Sequence, residues 1–352
     1  MCVCRPVPLQ LLKCVWMSSM EIHQHGGTWK LESPCRVVHR VAMAVATTQS
    51  CRRTPRHASC WRPRLRLASA IDPVVAAAEC WAAARNQVHA YFNPVTRVLR
   101  FSEDFLSALA AQDERLAIFV HGARTGDRRL INHGWNAYYQ AFGDGEEACL
   151  HLTAATTACG GRITDSIPRP GLNCALFALG SDIGAAPSPP YIGSQDTMVL
   201  YRALVGAIAP DEHGRNQAVM LPCWRELLPD LGYRSVEHGI PGDVAVYTIE
   251  STSEAAWIRS AADKDLAVHY GRVRQGSAEH MLVESKSGVT FPTYLHPLHA
   301  IDPTYLTLSP VIRVFFFRRT APRLAERARA ELVGSLARKY RARLSEFGVG
   351  CD

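Results

Sequence analysis

The 352-residue sequence contains no apolar run of about eighteen residues, the length a helix needs to cross a bilayer, so no transmembrane segment is expected. It also lacks the G-x-S-x-G of a serine-hydrolase elbow, which sets aside an α/β-hydrolase despite the His-Gly in "FVHGARTG" (119–126). No Gly-Lys-Ser/Thr closes a glycine loop, so a P-loop is excluded. No C-x-x-C pair recurs at a second site, and there is no internal repeat. Near the start, Lys13 breaks the only apolar stretch and no small-x-small cleavage site follows it cleanly, so a signal peptide is not expected. Net charge is also scarce over most of the chain. Residues 71–352 hold 28 Lys/Arg against 30 Asp/Glu, and the overall +7 comes entirely from the first 70 residues.

Those first residues have an unusual composition. They contain eleven Lys/Arg and two Glu, together with Cys2, Cys4, Cys14, Cys35, Cys51 and Cys60. Cys51, His57 and Cys60, with Cys35 and His39, form one candidate zinc set, and paired cysteines in a secreted module are another reading. The stretch has no sustained periodicity and is rich in Arg, Pro, His and Ser. Residues 1–69 are therefore expected to be a disordered or non-native leader, with Met20 and Met43 as later start candidates. A basic tail of this kind binds acidic surfaces without specificity, so no specific nucleic-acid partner is expected.

From residue 70 the patterns become those of a folded chain. "AIDPVVAAAECWAAARNQVHAYF" (70–92) and "SEDFLSALAAQ" (102–112) read as helices, the second with Ser102 as N-cap and two acids in its first turn. "RLAIFVHG" (115–122) reads as a strand, and the signals are mixed from there to about 165. A helix begins at "NCALFALG" (173–180), with Asn173 as cap and Cys174 as its first residue, and a loop follows over 181–194. Further helices are expected over 196–209 and 222–231, the second opened by Pro222. Then the period becomes alternating over 233–237, 244–249, 266–274 and 279–285, with a last strand at 311–318 and a closing helix at 321–344. Helices before strands indicate an α+β fold. The segmentation is a 1–69 leader, a 70–165 helical and mixed region, and a 166–352 domain.

Cys174 stands out because a thiol in the first turn of a helix has its thiolate stabilised by the dipole and by free main-chain N–H groups. Such a nucleophile needs a base, usually a histidine oriented by a third polar group. His269 lies within a strand pattern. Gly276–Ser277 forms a two-residue hairpin turn with Gly first, and that register sets His269 opposite Glu284. A slip of one residue offers Ser285 instead.

The order of a helix-borne Cys, a "GD" (Gly242–Asp243) opening a strand, a strand His and a polar residue on the next strand resembles the NlpC-type branch of the papain-like cysteine peptidases. "NC…ALG" and "SKSG" (285–288) also resemble uncharacterised bacterial proteins of similar layout. The resemblance covers about 165–290. It implies a Cys-bearing helix packed on an antiparallel sheet, with Cys174 as nucleophile, His269 as base, Glu284 as orienter and the Cys174 N–H in an oxyanion hole that Asn173 helps to position. Asn173 stands where that family commonly has Asp, and Ala175 where it has Ser. The implied activity is hydrolysis of an amide in a peptide or protein substrate through an acyl-enzyme, with cell-wall peptides as one substrate class and no cofactor. The alternatives are a non-catalytic binding or effector module on the same fold, and a secreted deamidase or transferase toxin.

Each of these residues also has a plainer reading. Cysteine is among the most buried residue types, a strand histidine is usually a bonded interior group, and Glu284 reads as a carboxylate at a strand end. His296, His299 and Asp302 in "HPLHAIDPTY" suggest a metal set, but Pro297 and Pro303 break any helix that would align them, so a loop is expected. No residue pattern indicates a compartment or an oligomeric state.

Overall fold

A computed structural model describes residues 91–349, except 144, 168, 170, 211–215, 221–222, 251–257, 261–264, 277–280, 289–290, 310 and 347. The leader, its candidate zinc set and nearly all of the helix expected over 70–92 lie outside the described residues.

After a two-stranded contact begun by β1 (Val98–Leu99), four helices follow in close succession: α1 (Glu103–Ala110), α2 (Glu114–Thr125), α3 (Arg128–Phe142) and α4 (Glu146–Ala158). Ser102 caps α1 as expected, its side chain accepting from the Phe105 N–H at 3.2 Å. The expected strand at 115–122 is instead the body of α2. Asp113 caps it through the Arg115 N–H, and Gly126 ends it in the left-handed conformation at φ 71°. The apolar residues there suit both periods. Leu116, Phe119 and Val120 fall three and four apart, and the two caps decide for the helix. Helices α2 and α3 approach closely, because a Cβ on Gly134 would come within 2.5 Å of the Phe119 nitrogen.

The remaining elements are β2 (Arg162–Asp165), α5 (Cys174–Leu179), α6 (Gln195–Val205), β3 (Ala207–Pro210), β4 (Asn216–Met220), α7 (Trp224–Asp230), β5 (Tyr233–Val236), β6 (Val244–Glu250), β7 (Ile258–Ser260), β8 (Asp265–Gln275), β9 (Leu282–Lys286), β10 (Thr293–Pro297), α8 (Tyr305–Leu308), β11 (Ile312–Arg319) and α9 (Glu326–Glu346). The main sheet runs β1-β11-β6-β8-β9-β10-β2, with β5 also paired to β11, and every pairing in it is antiparallel. A small sheet joins β3, β4 and β7. The fold is α+β, and β1 and β2, from the N-terminal region, are strands of the same sheet as the later ones.

Each face of the sheet has its own core. On one face, Val244, Val246, Ala267, Tyr270 and Phe317 pack with α5, α6, α7 and the stripe Val333, Leu336, Ala337, Tyr340 and Leu344 of α9. On the other, Ala245, Tyr247, Ile249, Leu266, Val273 and Val283 pack with Phe92, Leu99, Tyr305 and Leu308. The helices α1–α4 form a further apolar cluster that includes Ala300. Among the described residues no helix is long and apolar enough to cross a membrane.

Candidate active site around Cys174

The chain enters α5 as its sequence suggests. Asn173 is extended and its side-chain oxygen accepts from the Leu176 N–H at 3.1 Å, while its amide donates to the Tyr201 hydroxyl on α6. That cap fixes Cys174 as the first helical residue, and α5 lies against β8 and β9. Cys174 is a free thiol with 8% of its surface exposed. Burial pushes the thiol up to about 11, opposed by the main chain at Tyr270, Ala175 and Cys174 itself and by the charge of Lys286.

His269 is not on the thiol's side of the sheet. Tyr270 pairs with Val246 and points into the core beneath α5, whereas His269 pairs with Tyr247 and points into the opposite core. The cause is a bulge in β8. Tyr247 pairs with His269 but Thr248 pairs with Ala267, so Val268 is an extra residue. Counted by simple alternation from Ala267, which lies in the Cys174 core, His269 would face the thiol; the extra residue reverses this. The Cys174–His269 pair implied by the resemblance is therefore not assembled.

Glu284 also departs from the expected register. The strands pair Gly271 with Ser285 and Arg272 with Glu284, three residues away from the register that sets His269 opposite Glu284. The register that a two-residue turn at Gly276–Ser277 would impose is not kept: β8 ends at Gln275, β9 begins at Leu282, a second irregularity falls between Val273 and Gln275, and Ser277 lies outside the described residues. An offset of an odd number moves Glu284 to the other face, where its carboxylate pairs with the Arg274 guanidinium at 2.6 Å. Ser285, the alternative third residue, does share the face of His269, but its hydroxyl bonds the ring of His296 at 2.8 Å. His296 donates from Nδ1 to its neighbour's carbonyl, Pro297 O, at 2.8 Å, so its Nε2 accepts from Ser285 Oγ. His269 touches Tyr305 through Nδ1 at 3.2 Å, and its Nε2 is buried without a hydrogen-bond partner. Burial pushes His269 down to about 3 and His296 down to about 4.

The "GD" does what a strand-opening pair should. Asp243 is buried, accepts from the Ile240 N–H at 2.9 Å and takes two bonds from Arg318 of β11, tying the start of β6 to its neighbour. The metal reading of His296, His299 and Asp302 fails, although His296 sits on β10 rather than in a loop. Among the described residues no group of three ligand-type side chains could hold a metal ion.

What does stand on the side of Cys174 is Lys286, the last residue of β9. It is two residues beyond Glu284 and therefore on the same face, and it is 1% exposed. Its ammonium donates to the Phe291 carbonyl, and burial pushes the amine down to about 8. The charge of Lys286 lowers the thiol and the thiolate of Cys174 raises the amine, so each group feels the other. In the sequence Lys286 appears only as part of "SKSG", and the one local hint is a lysine set among strand residues of the pattern "LVESK". No protein-family model, curated protein or solved structure matches the chain.

Proposed function

We propose that the protein is a cysteine hydrolase or acyl-transfer enzyme acting on an amide, with Lys286 rather than His269 as the proton acceptor for Cys174. The observation that carries this reading is a buried amine on the thiol's own side of the sheet, and its burial pushes the amine down to about 8. A lysine is a competent general base only when its environment lowers its pKa into the working range. In the proposed cycle the neutral Lys286 amine takes the Cys174 proton as sulfur bonds to the substrate carbonyl carbon. The N–H groups of Cys174 and Ala175, which have no intrahelical partner, face the developing oxyanion. The Lys286 ammonium then gives its proton to the departing amine, and water or a second amine resolves the thioester. Asn173 is a positioning residue that holds the first turn of α5 through its bonds to Leu176 and Tyr201.

A second reading has its own support. The high thiol pKa and small exposure of Cys174 suit a core residue in a non-catalytic binding module. Iodoacetamide alkylation of Cys174, followed by peptide mass spectrometry from pH 6 to 11, separates the two. With Lys286 as base, the rate rises through about pH 8 as the amine loses its proton. In Lys286→Met the only rise is near the thiol's own value of about 11 or above, and His269→Ala leaves the profile unchanged. A wild-type profile without the lower rise would favour the binding module.

A further inference from the structure

Lys286 does not meet its surroundings alone. Register lines run across three strands at one edge of the sheet: Lys286 of β9 pairs with Thr293 of β10, and Thr293 pairs with Asp165, the last residue of β2. The β10–β2 register shifts between Thr293 and Tyr294, and Asp165 pairs with Thr293 beyond that shift; paired residues project from the same face, so Asp165 and Lys286 project to one side with one strand between them. Four residues on from Asp165, Arg169 returns to pair with its carboxylate at 2.7 Å. Asp165 and Arg169 keep 28% and 45% of their side-chain surface exposed, so the pair lies at the rim while the lysine is buried behind it.

We propose that the Asp165–Arg169 ion pair is a positioning device that sets the protonation of Lys286, and hence the pH at which the Cys174 site works. This rests on the Cys174–Lys286 reading above.

Asp165 from β2 holds the proton on the amine, Arg169 from the following loop repels it, Cys149 of α4 and Cys174 of α5 act as weak acids nearby, and Glu284 on its own strand is engaged by Arg274. Of these, Asp165 and Arg169 carry opposite charges, and they act on the amine in opposition. Their mutual bond ties the two effects together: moving Arg169 away both removes a repulsive charge and frees the carboxylate to attract. A substrate group or partner that drew Arg169 off Asp165 would raise the amine pKa without touching the thiol.

The test observes the lysine directly. The full chain is labelled with carbon-13 at lysine Cε, and the signal of Lys286 is assigned among Lys13, Lys30, Lys264 and Lys339 by its loss in Lys286→Met. Its titration midpoint is then compared in wild type, Asp165→Asn and Arg169→Gln, two changes at partly exposed positions. Asp165→Asn should lower the midpoint and Arg169→Gln should raise it, each by roughly half a pH unit or more, the modest end of what a nearby charge does. The Cys174 alkylation profile should move with it in both variants. Midpoints that stay in place, or that move in the same direction, overturn the inference. A different failure marks the underlying reading. If Lys286→Met leaves the alkylation profile unchanged while the midpoints still shift, the ion pair tunes a lysine that is not the base of Cys174.

Discussion

The buried histidine His269 has its Nε2 facing neither solvent nor a partner, and that has a thermodynamic consequence. His269, His296 and His299 are all held down by burial, to about 3, 4 and 4, against an ordinary value near 6.5. The folded chain keeps them neutral, whereas the unfolded chain protonates them below about pH 6.5. The unfolded state therefore binds more protons as pH falls, and stability present above 6.5 is lost toward pH 4. Each group contributes on the order of 3 kcal/mol by pH 4 at most, which together rivals the whole stability of an ordinary domain. Asp302, raised by burial, acts in the opposite sense. The chain should accordingly unfold between pH 6 and 4, as followed by urea denaturation at a series of pH values. His269→Phe should flatten part of that slope with only a small change at pH 7, because it removes a buried nitrogen that has no partner together with the bond between Nδ1 and the Tyr305 hydroxyl. Stability that is constant from pH 7 to pH 5 would contradict this account.

At the scale of elements, what decides a structure is often a contact between backbones. Gly134 of α3 leaves so little room that a Cβ would lie 2.5 Å from the Phe119 nitrogen and 2.7 Å from the Arg115 oxygen, both main-chain atoms of α2. Gly134→Ala must push the two helices apart and should cost roughly 1–3 kcal/mol, seen as a lower melting temperature. Gly193→Ala, with open space around it, should change little. The same contrast explains what the sequence revealed. Caps and alternation are local, so Ser102, Asn173–Cys174, the strands β5, β6, β8, β9 and β11 and the helix α9 were legible, whereas the short β7 and β10 were not expected and His296 was read in a loop. The site was legible only in part, because its pairing depends on two irregularities in β8 that no periodicity encodes. The extra residue Val268 turns His269 away from the thiol, and the longer β8–β9 connection moves Glu284 to Arg272. The helix α2 was misread because its apolar run supports either period, Leu116, Ile118 and Val120 by alternation and Leu116, Phe119 and Val120 by helical spacing, when the caps at Asp113 and Gly126 are not weighed.

At the scale of the whole molecule, Cys174 belongs to a core that is completed only by the last helix. Along α9, Val333, Leu336, Tyr340 and Leu344 close the same cluster that holds the thiol, and Tyr340 and Lys339 both bond Asp230 at the end of α7. The basic face of α9 is largely engaged by acids on neighbouring elements or on the helix itself, such as Asp196 for Arg341 and Glu331 for Arg327. This placement allows a decisive check on how Cys174 is reached. Leu344→Ala removes a fully buried side chain far along the sequence from the site and should cost about 2–5 kcal/mol. If reagents reach the thiol only when the core opens, alkylation at pH 8 must accelerate as stability falls, about tenfold for each 1.4 kcal/mol lost. A nucleophile used in the native fold is already accessible to small reagents. The expected outcome is therefore a clear loss of stability in urea with a Cys174 alkylation rate within about twofold of wild type. Acceleration in step with the lost stability would instead place the thiol in the core as packing.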